Sequence, residues 1–403
     1  MKTLLIISAG LLTLAVVILL VDIIPVIKRW IARIRIGQWE SPEKWGLAVK
    51  KVLVRQFRKT PSVPVCDNTR LTIIERLKGT FNSKNLQNWQ QAALLIGANE
   101  FCGCGEVKAQ VEKFIDSQIN PKTGEWQEWS ESVDSAMLAF AILSSPVTNK
   151  QKIKPAMDKT AEMLFGMAEK YGTVPYNTKV PNIRFVDTIG MICPFLMKYG
   201  IEYNCGQAIE TAWKQIEEYC LYGLHPSKNL PVHCFDVVSK DPLGIYAWGR
   251  GCGWLATGLM DSYLSLNAST VAGKTEEQNN PLHTKNNANI KMQENLFGQM
   301  CLLATALEKY QLENGAWDRQ VFLKESGETS ATAMLGWFMK KMFELTGDRL
   351  YKTSAEKARD FLICSTRRNG VVDYAQGDTK GIGFYSVKLD AMPAVQGFAG
   401  RII

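Results

Sequence analysis

The chain carries at residues 124–143 the stretch GEWQEWSESVDSAMLAFAIL, in which a loop with glycine and tryptophan leads through a polar residue into an apolar helix. The same order of features recurs as GTVPYNTKVPNIRFVDTIGMICPFL at 172–196, AWGRGCGWLATGLMDSYL at 247–264 and GAWDRQVFLKESGETSATAMLGWFM at 315–339. A second, more polar helical segment follows each copy. Because helix pairs repeated every ~50–65 residues stack side by side, this pattern predicts an all-α chain of six helical hairpins closed into an (α/α)6 barrel.

Helical spacing of apolar residues runs through almost every long segment, and no convincing strand pattern is present. The spacing predicts helices at residues 88–99, 107–119, 133–143, 156–171, 188–199, 206–221, 253–266, 292–311, 330–346 and 350–364. The polar stretch 273–289 interrupts this series and is interpreted as a surface insertion.

The N-terminal segment is apolar enough to enter a membrane. Residues 4–20 contain only apolar and small side chains, and the apolar run resumes at 23–27. A bilayer core ~30 Å thick needs ~20 such residues as a helix. We therefore predict a transmembrane anchor at 1–27. A cleaved signal peptide is the alternative, although no small-residue cleavage site follows the run.

Basic residues predict the orientation of this anchor. Only Lys2 precedes the apolar run, whereas Lys28, Arg29, Arg33 and Arg35 follow it. The positive-inside rule then places a single-pass protein in the cell (inner) membrane with its C-terminal part in the cytoplasm. We interpret 28–68 as a basic juxtamembrane helix and linker, broken by the prolines in 61–64, and 69–403 as the catalytic domain.

Composition excludes several other classes of function. The net charge of +8 is modest, and half of it lies beside the apolar run, which argues against a nucleic-acid-binding surface. Ten cysteines are scattered through apolar runs and are expected to be buried thiols. No Cys and His spacing suits zinc, so neither a metal nor a cofactor is predicted. The sequence leaves the oligomeric state open.

Two acidic residues occupy matching places in adjacent repeats. Asp134 and Asp187 each lie in the first turn of a predicted inner helix. A single aspartate there would be explained by capping, since it accepts backbone N–H bonds. A matched pair instead predicts two carboxylates in one pocket, as enzymes acting on glycosides use. If the inner helices begin at one mouth, Arg250 and Glu328 converge there as well.

The motif AWGRGCGW combines flat aromatic faces with a planar cation. Trp248 and Trp254 can pack on a sugar ring, and Arg250 offers a two-pronged donor to a carboxylate, which points to an acidic sugar. The alternative is a tight turn with both tryptophans in the core and Arg250 at a helix end.

Three motifs together resemble the unsaturated uronyl hydrolases, glycoside hydrolase families 88 and 105. They are VDxxxMxxP from Val186 to Pro194, WGRGxGW from Trp248 to Trp254, and ETSA at 328–331. The resemblance covers roughly residues 70–400. It implies an (α/α)6 barrel that acts without a metal on a 4,5-unsaturated uronic acid at the non-reducing end of an oligosaccharide. The reaction that it implies is hydration of the vinyl ether.

The resemblance also implies roles for individual residues. Asp187 would protonate C4 of the double bond and then take a proton from the water that adds at C5. Asp134 would hold the sugar hydroxyls and assist Asp187. The predicted substrate-binding residues are His233, Trp248, Arg250, Trp254 and Tyr176.

The chain departs from the family pattern at three places. Tyr176 stands in a loop where many members carry a histidine, Phe185 replaces a common tryptophan, and Cys252 replaces a small polar residue. Two other functions therefore stay open. One is a non-catalytic or retuned saccharide-handling protein in surface-polysaccharide assembly, and the other is an inverting glycosidase acting on saturated acidic sugars.

Overall fold

The computed structural model describes residues 2–58, 61, 71–78, 87–273, 283–379 and 381–403. Its helices are α1 (Lys2–Ala32), α2 (Pro42–Arg58), α3 (Thr72–Leu77), α4 (Asn88–Asn99), α5 (Gly105–Gln118), α6 (Val133–Leu143), α7 (Lys154–Ala168), α8 (Val186–Glu202), α9 (Gly206–Tyr222), α10 (Gly249–Gly273), α11 (His283–Glu308), α12 (Thr329–Thr346), α13 (Arg349–Cys364) and α14 (Pro393–Ile402). The predicted linker 61–64, the predicted domain start at residue 69 and the predicted insertion 273–289 lie wholly or partly outside the described residues.

Two concentric layers of helices form a barrel. Helices α4, α6, α8, α10, α12 and α14 each contact the next one, and α14 returns to contact α4, so this inner ring is closed. Helices α2, α5, α7, α9, α11 and α13 lie outside it. Every residue from Pro393 to Ile402 is buried, including the polar Gln396 and Arg401, because this helix closes the ring between α12 and α4. The predicted all-α (α/α)6 barrel is confirmed.

Helix α2 belongs to the barrel, which corrects the interpretation of 28–68 as a helix and linker outside it. Its residues Trp45, Val49 and Leu53 are at most 1% exposed. The helix packs on α14, α4 and α5, and the Trp45 indole donates a hydrogen bond of 2.9 Å to the hydroxyl of Thr366. The first outer helix of the chain therefore covers the last inner one.

Short strands, which the sequence analysis did not predict, lie where loops enter the inner helices. Strands β1 (Ile183–Phe185), β2 (Val232–Asp236) and β3 (Pro242–Tyr246) form an antiparallel sheet in that order, and β4 (Ala375–Gln376) pairs with β5 (Leu389–Asp390). Segments of two to five residues are too short to show the alternation by which a strand is recognised.

Neighbouring inner helices approach each other backbone to backbone. A Cβ atom at Gly258 of α10 would lie 2.5 Å from the carbonyl oxygen of Ile189 in α8, and one at Gly397 of α14 would lie 1.9 Å from that of Ala93 in α4. Only glycine permits these distances. The radius of the ring therefore depends on residues that have no side chain.

Helix α1 lies outside the barrel, and none of its residues is buried. It is 31 residues long and apolar enough to cross a membrane, and as an N-terminal helix it would equally suit a signal sequence.

Candidate active site

The inner helices begin at one end of the barrel, and this mouth collects the predicted carboxylates. Asp134 lies in the first turn of α6 and Asp187 in the first turn of α8. The N-cap residues Ser132 and Phe185 form no side-chain capping bond. Asp134 accepts a hydrogen bond from the Ser132 hydroxyl, whereas Oδ2 of Asp187 is buried with no hydrogen-bond partner among the described residues.

His233 is brought beside Asp187 by strand pairing. Phe185, immediately before α8, pairs with Cys234 of β2, so the neighbouring His233 lies near the first turn of that helix. Nε2 of His233 is 3.6 Å from Oδ2 of Asp187, and the two residues are 3% and 8% exposed. This distance is too long for a hydrogen bond. Both groups are thus nearly free of solvent and adjacent without being bonded to each other.

Tyr385 holds the ring of His233 in place. Its phenol lies 2.8 Å from Nδ1 of His233 and accepts a hydrogen bond of 3.3 Å from the backbone N–H of Ile245. Burial raises the pKa of Tyr385 to about 12, so the phenol keeps its proton near neutral pH. The bond at Nδ1 leaves Nε2 as the ring nitrogen that faces Asp187.

A second phenol, that of Tyr176, lies within the electrostatic influence of three carboxylates. Loss of solvation, followed by the negative charges of Asp187, Asp134 and Asp378, raises the pKa of the Tyr176 phenol. For Asp378, burial and the charge of Asp187 raise the carboxyl pKa, while Arg250 opposes them. The mouth therefore contains three acidic residues, of which the sequence analysis identified two.

Trp248 and Arg250 lie at the mouth, but both side chains are buried and hydrogen-bonded to other residues of the protein, so neither offers a free surface. Trp248 is 1% exposed, and its indole donates a hydrogen bond of 2.8 Å to the side-chain oxygen of Gln376. Arg250 is 2% exposed and donates to the backbone carbonyls of Gln376 and Gly377, at 2.7 and 2.8 Å. Both side chains are thus engaged with Gln376 and Gly377, and the expected stacking on a sugar and bond to its carboxylate stay predictions.

Three other residues of the motifs have structural surroundings. Trp254, predicted to bind substrate, is 1% exposed and packs edge-on against Trp89 and Phe398 in the core, so it is too deep to touch a ligand. Glu328 is fully buried and caps α12 by accepting from the backbone N–H groups of Ser330 and Ala331. Cys252 is fully buried as well, so this departure from the family pattern does not alter the surface of the mouth.

The loop between β4 and β5 supplies what the sequence analysis missed. It carries Asp378 and Tyr385, and Gln376 lies at its start. The segment GDTKGIGFYSV at 377–387 combines glycines with aromatics before an inner helix, which is the pattern of the four recognised repeats. That similarity would have identified both the loop and α14.

A cavity of about 420 Å³ lies between the starts of α4 and α6. It is lined in part by Asn88, Trp129, Ser130 and Ser135, the last of which is the neighbour of Asp134. A larger cavity, of about 1290 Å³, lies between the outer helices α9 and α11 and contains none of the predicted site residues. The mouth, where the unpaired carboxylate lies, is therefore the candidate active site.

Comparison with known families identifies the barrel. The family model described as Glycosyl Hydrolase Family 88 matches residues 74–392. The chain belongs to glycosyl hydrolase family 88. It is a glycoside hydrolase.

Solved structures share the fold of this family 88 protein at low sequence identity. A possible member of family 105 from Klebsiella pneumoniae has 17% identity and a TM-score of 0.68, with 90% of this chain and 91% of that chain covered. A family 105 glycoside hydrolase of C. acetobutylicum has 16% identity and a TM-score of 0.62, with 78% and 92% covered. An unsaturated glucuronyl hydrolase specific for heparin has 14% identity and a TM-score of 0.64, with 90% and 95% covered. No curated protein matches the sequence significantly.

Proposed function

We propose that this family 88 protein hydrolyses 4,5-unsaturated uronyl oligosaccharides by hydrating their vinyl ether, with Asp187 as the general acid and base. The observation that carries the proposal is the side chain of Asp187, which is 8% exposed and has a buried oxygen without a partner at the mouth. A buried polar atom left unpaired costs stability, and such groups concentrate where a ligand completes the bonding. The structural neighbour that acts as an unsaturated glucuronyl hydrolase agrees with this substrate class.

The proposed step moves one proton out and one proton back. The carboxyl of Asp187 gives its proton to C4 while the electron pair of the C4–C5 double bond forms the new C–H bond. The oxygen of a water molecule bonds to C5, and one proton of that water returns to the carboxylate. The hemiketal formed at C5 then opens: its bond from C5 to the ring oxygen breaks to give a ketone at C5 and a hemiacetal at C1. That hemiacetal collapses to an aldehyde and releases the rest of the saccharide as an alcohol.

The neighbouring residues prepare this exchange. His233 turns Nε2 toward Asp187, and an N–H on that nitrogen favours the carboxylate after the proton has left. Asp134 lies at the start of the adjacent inner helix, next to Ser135, which lines the 420 Å³ cavity, and can accept bonds from sugar hydroxyls. Tyr176, whose phenol keeps its proton because its pKa is raised, can donate to the substrate.

The decisive experiment is incubation of the full-length protein with unsaturated uronyl disaccharides while the absorbance of the vinyl ether is followed. We expect the absorbance to fall, and we expect Asp187→Asn to lower the rate by about 10²–10⁴-fold, because a positioned acid and base contributes that much. Asp241→Asn, the same change at an exposed turn, is the matched control and should leave the rate unchanged.

Two outcomes would contradict the proposal. Full activity of Asp187→Asn would remove its assigned role. Release of reducing sugar from saturated acidic saccharides, with no loss of absorbance from unsaturated ones, would show an inverting glycosidase instead, and binding of acidic polysaccharide without any product would show a saccharide-handling protein.

We also propose that α1 anchors the protein in the inner membrane with the barrel in the cytoplasm. Support comes from its length, from the absence of burial in α1, and from the basic residues that follow it. The intact mass of the protein purified from membranes should include the N-terminal 27 residues. A shorter mass would show that the segment is a removed signal sequence.

A further inference from the structure

The end of α1 is bonded to the same loop that builds the mouth. Arg33 donates to both carboxylate oxygens of Asp373, at 2.9 and 3.0 Å, and to the carbonyl oxygen of Leu389 at 2.8 Å. One turn earlier, Arg29 forms an ion pair of 2.8 Å with Asp390. Two arginines therefore fix the segment that contains β4, β5 and the loop between them against the base of α1.

These bonds set the distance between the mouth and a bilayer that holds α1. The apolar run ends at residue 27, and an α-helix rises ~1.5 Å per residue, so Arg29 lies ~3 Å and Arg33 ~9 Å beyond the apolar run. Asp373 and Asp390 contact these side chains directly. The mouth segment is consequently held within the depth of a lipid headgroup layer.

The loop between β4 and β5 exposes large apolar side chains beside that position. Phe384 is 73% exposed and Val387 is 75% exposed, whereas Tyr385 between them points inward to His233. On α1, Trp30 is 70% exposed. Exposed aromatic side chains are typical of proteins at the interface between a membrane and water.

Charge around the loop suits the surface of a membrane. Lys28 and Arg35 are exposed on either side of the two paired arginines. Basic side chains next to a span are attracted to anionic lipid headgroups. Exposed apolar side chains together with exposed basic ones match the chemistry of an anionic bilayer interface better than that of a soluble acidic saccharide.

We propose that Phe384 and Val387 insert into the interface of the bilayer that holds α1, so that the mouth of the barrel opens at the membrane surface. The proposal rests on the membrane anchor proposed above. The saccharide then enters the mouth along the lipid surface. The same loop contacts lipid through Phe384 and His233 through the adjacent Tyr385.

Lipid crosslinking tests the proposal with the full-length protein. The photoreactive residue p-benzoylphenylalanine is placed at position 384, and the protein is reconstituted in nanodiscs of phosphatidylethanolamine and phosphatidylglycerol, irradiated and examined by mass spectrometry. The control carries the same residue at Leu350, which is 61% exposed in the first turn of α13, at the end of the barrel opposite the mouth. We expect a lipid adduct at position 384 and at least tenfold less at position 350.

Equal labelling of both positions, or no lipid adduct at 384 and at 387 in turn, would overturn the proposal. A mature protein that lacks the N-terminal segment would overturn it too, and its intact mass would show this directly. Turnover of a soluble unsaturated disaccharide is a separate measurement, so failure of the membrane contact and failure of the hydrolase function give different results.

Discussion

At the scale of single residues, the orientation of His233 depends on Tyr385. Its phenol accepts from the backbone N–H of Ile245 and shares a hydrogen bond with Nδ1 of His233. This bond fixes the ring so that Nε2 lies 3.6 Å from Oδ2 of Asp187. Tyr385 is accordingly a positioning residue, because it acts on Asp187 through His233.

Replacement of this phenol tests that role. We expect Tyr385→Phe to lower kcat about tenfold with KM changed less than about twofold, because one lost hydrogen bond of ~1–1.5 kcal/mol corresponds to that factor. Tyr351→Phe, at the start of α13 and far from the mouth, is the matched control. Steady-state kinetics with an unsaturated disaccharide and a thermal melt give both readouts. A fall in Tm that accounts for the lost activity, or a rise in KM alone, would contradict the assignment.

The sequence predicted the acidic residues of the site better than the aromatic ones. Asp134 and Asp187 were found because they occupy matching places in adjacent repeats, each in the first turn of a helix that follows a loop with aromatic residues. Trp254 packs against Phe398 in the core, and the sequence alone does not distinguish such an indole from one that faces a ligand, so its substrate-binding role stays a prediction. The sequence also could not predict that Arg250 donates to backbone carbonyls, because every residue has a carbonyl group.

At the scale of helices, close approach at glycine determines how tightly the inner ring is drawn together. We expect Gly258→Ala to lower the free energy of unfolding by about 1–3 kcal/mol, because a Cβ there meets the carbonyl oxygen of Ile189 at 2.5 Å and α8 must shift. Gly166→Ala in α7 is the control, since nothing lies within 4 Å of a Cβ there. It should raise that free energy by up to about 1 kcal/mol. Urea denaturation in detergent measures both, and equal effects would show that the helices are not in backbone contact.

Helix boundaries followed from the sequence wherever an apolar run ended in polar residues. The predicted ranges 88–99 and 133–143 coincide with α4 and α6. Helix α14 was missed because the loop-and-helix repeat was not followed into residues 377–402, although the loop there combines glycines with aromatics as the other copies do. Its complete burial, which includes Gln396 and Arg401, follows from closure of the ring.

At the scale of the whole molecule, α1 and the barrel form one unit through Arg33. Burial opposes ionisation of Asp373, but hydrogen bonds from Arg33 and Arg367 prevail and lower the pKa of this carboxyl. A carboxyl with a lowered pKa contributes stability above the ordinary carboxyl range, and that contribution is lost as the pH falls through its own pKa.

We therefore expect Arg33→Gln to lower the free energy of unfolding by about 1–3 kcal/mol near neutral pH, because Arg367 still pairs with Asp373. The deficit relative to the unchanged protein should shrink in acid, once Asp373 takes up a proton. Arg35→Gln, at an exposed position, is the control. Denaturant titrations at several pH values give the comparison, and a deficit that does not vary with pH would show that the ion pair is not its cause.

The packing of α2 on α14 has a consequence for biosynthesis. Helix α2, the first outer helix, covers α14, the last inner helix. The ring therefore cannot close while residues 393–402 are still inside the ribosome. Contacts between segments so far apart in sequence form late and slowly. Tyr385 and Asp378 also leave the ribosome just before α14. A nascent chain already held by α1 would thus gain its complete mouth only after α14 has been translated, which delays any reaction until the barrel has closed.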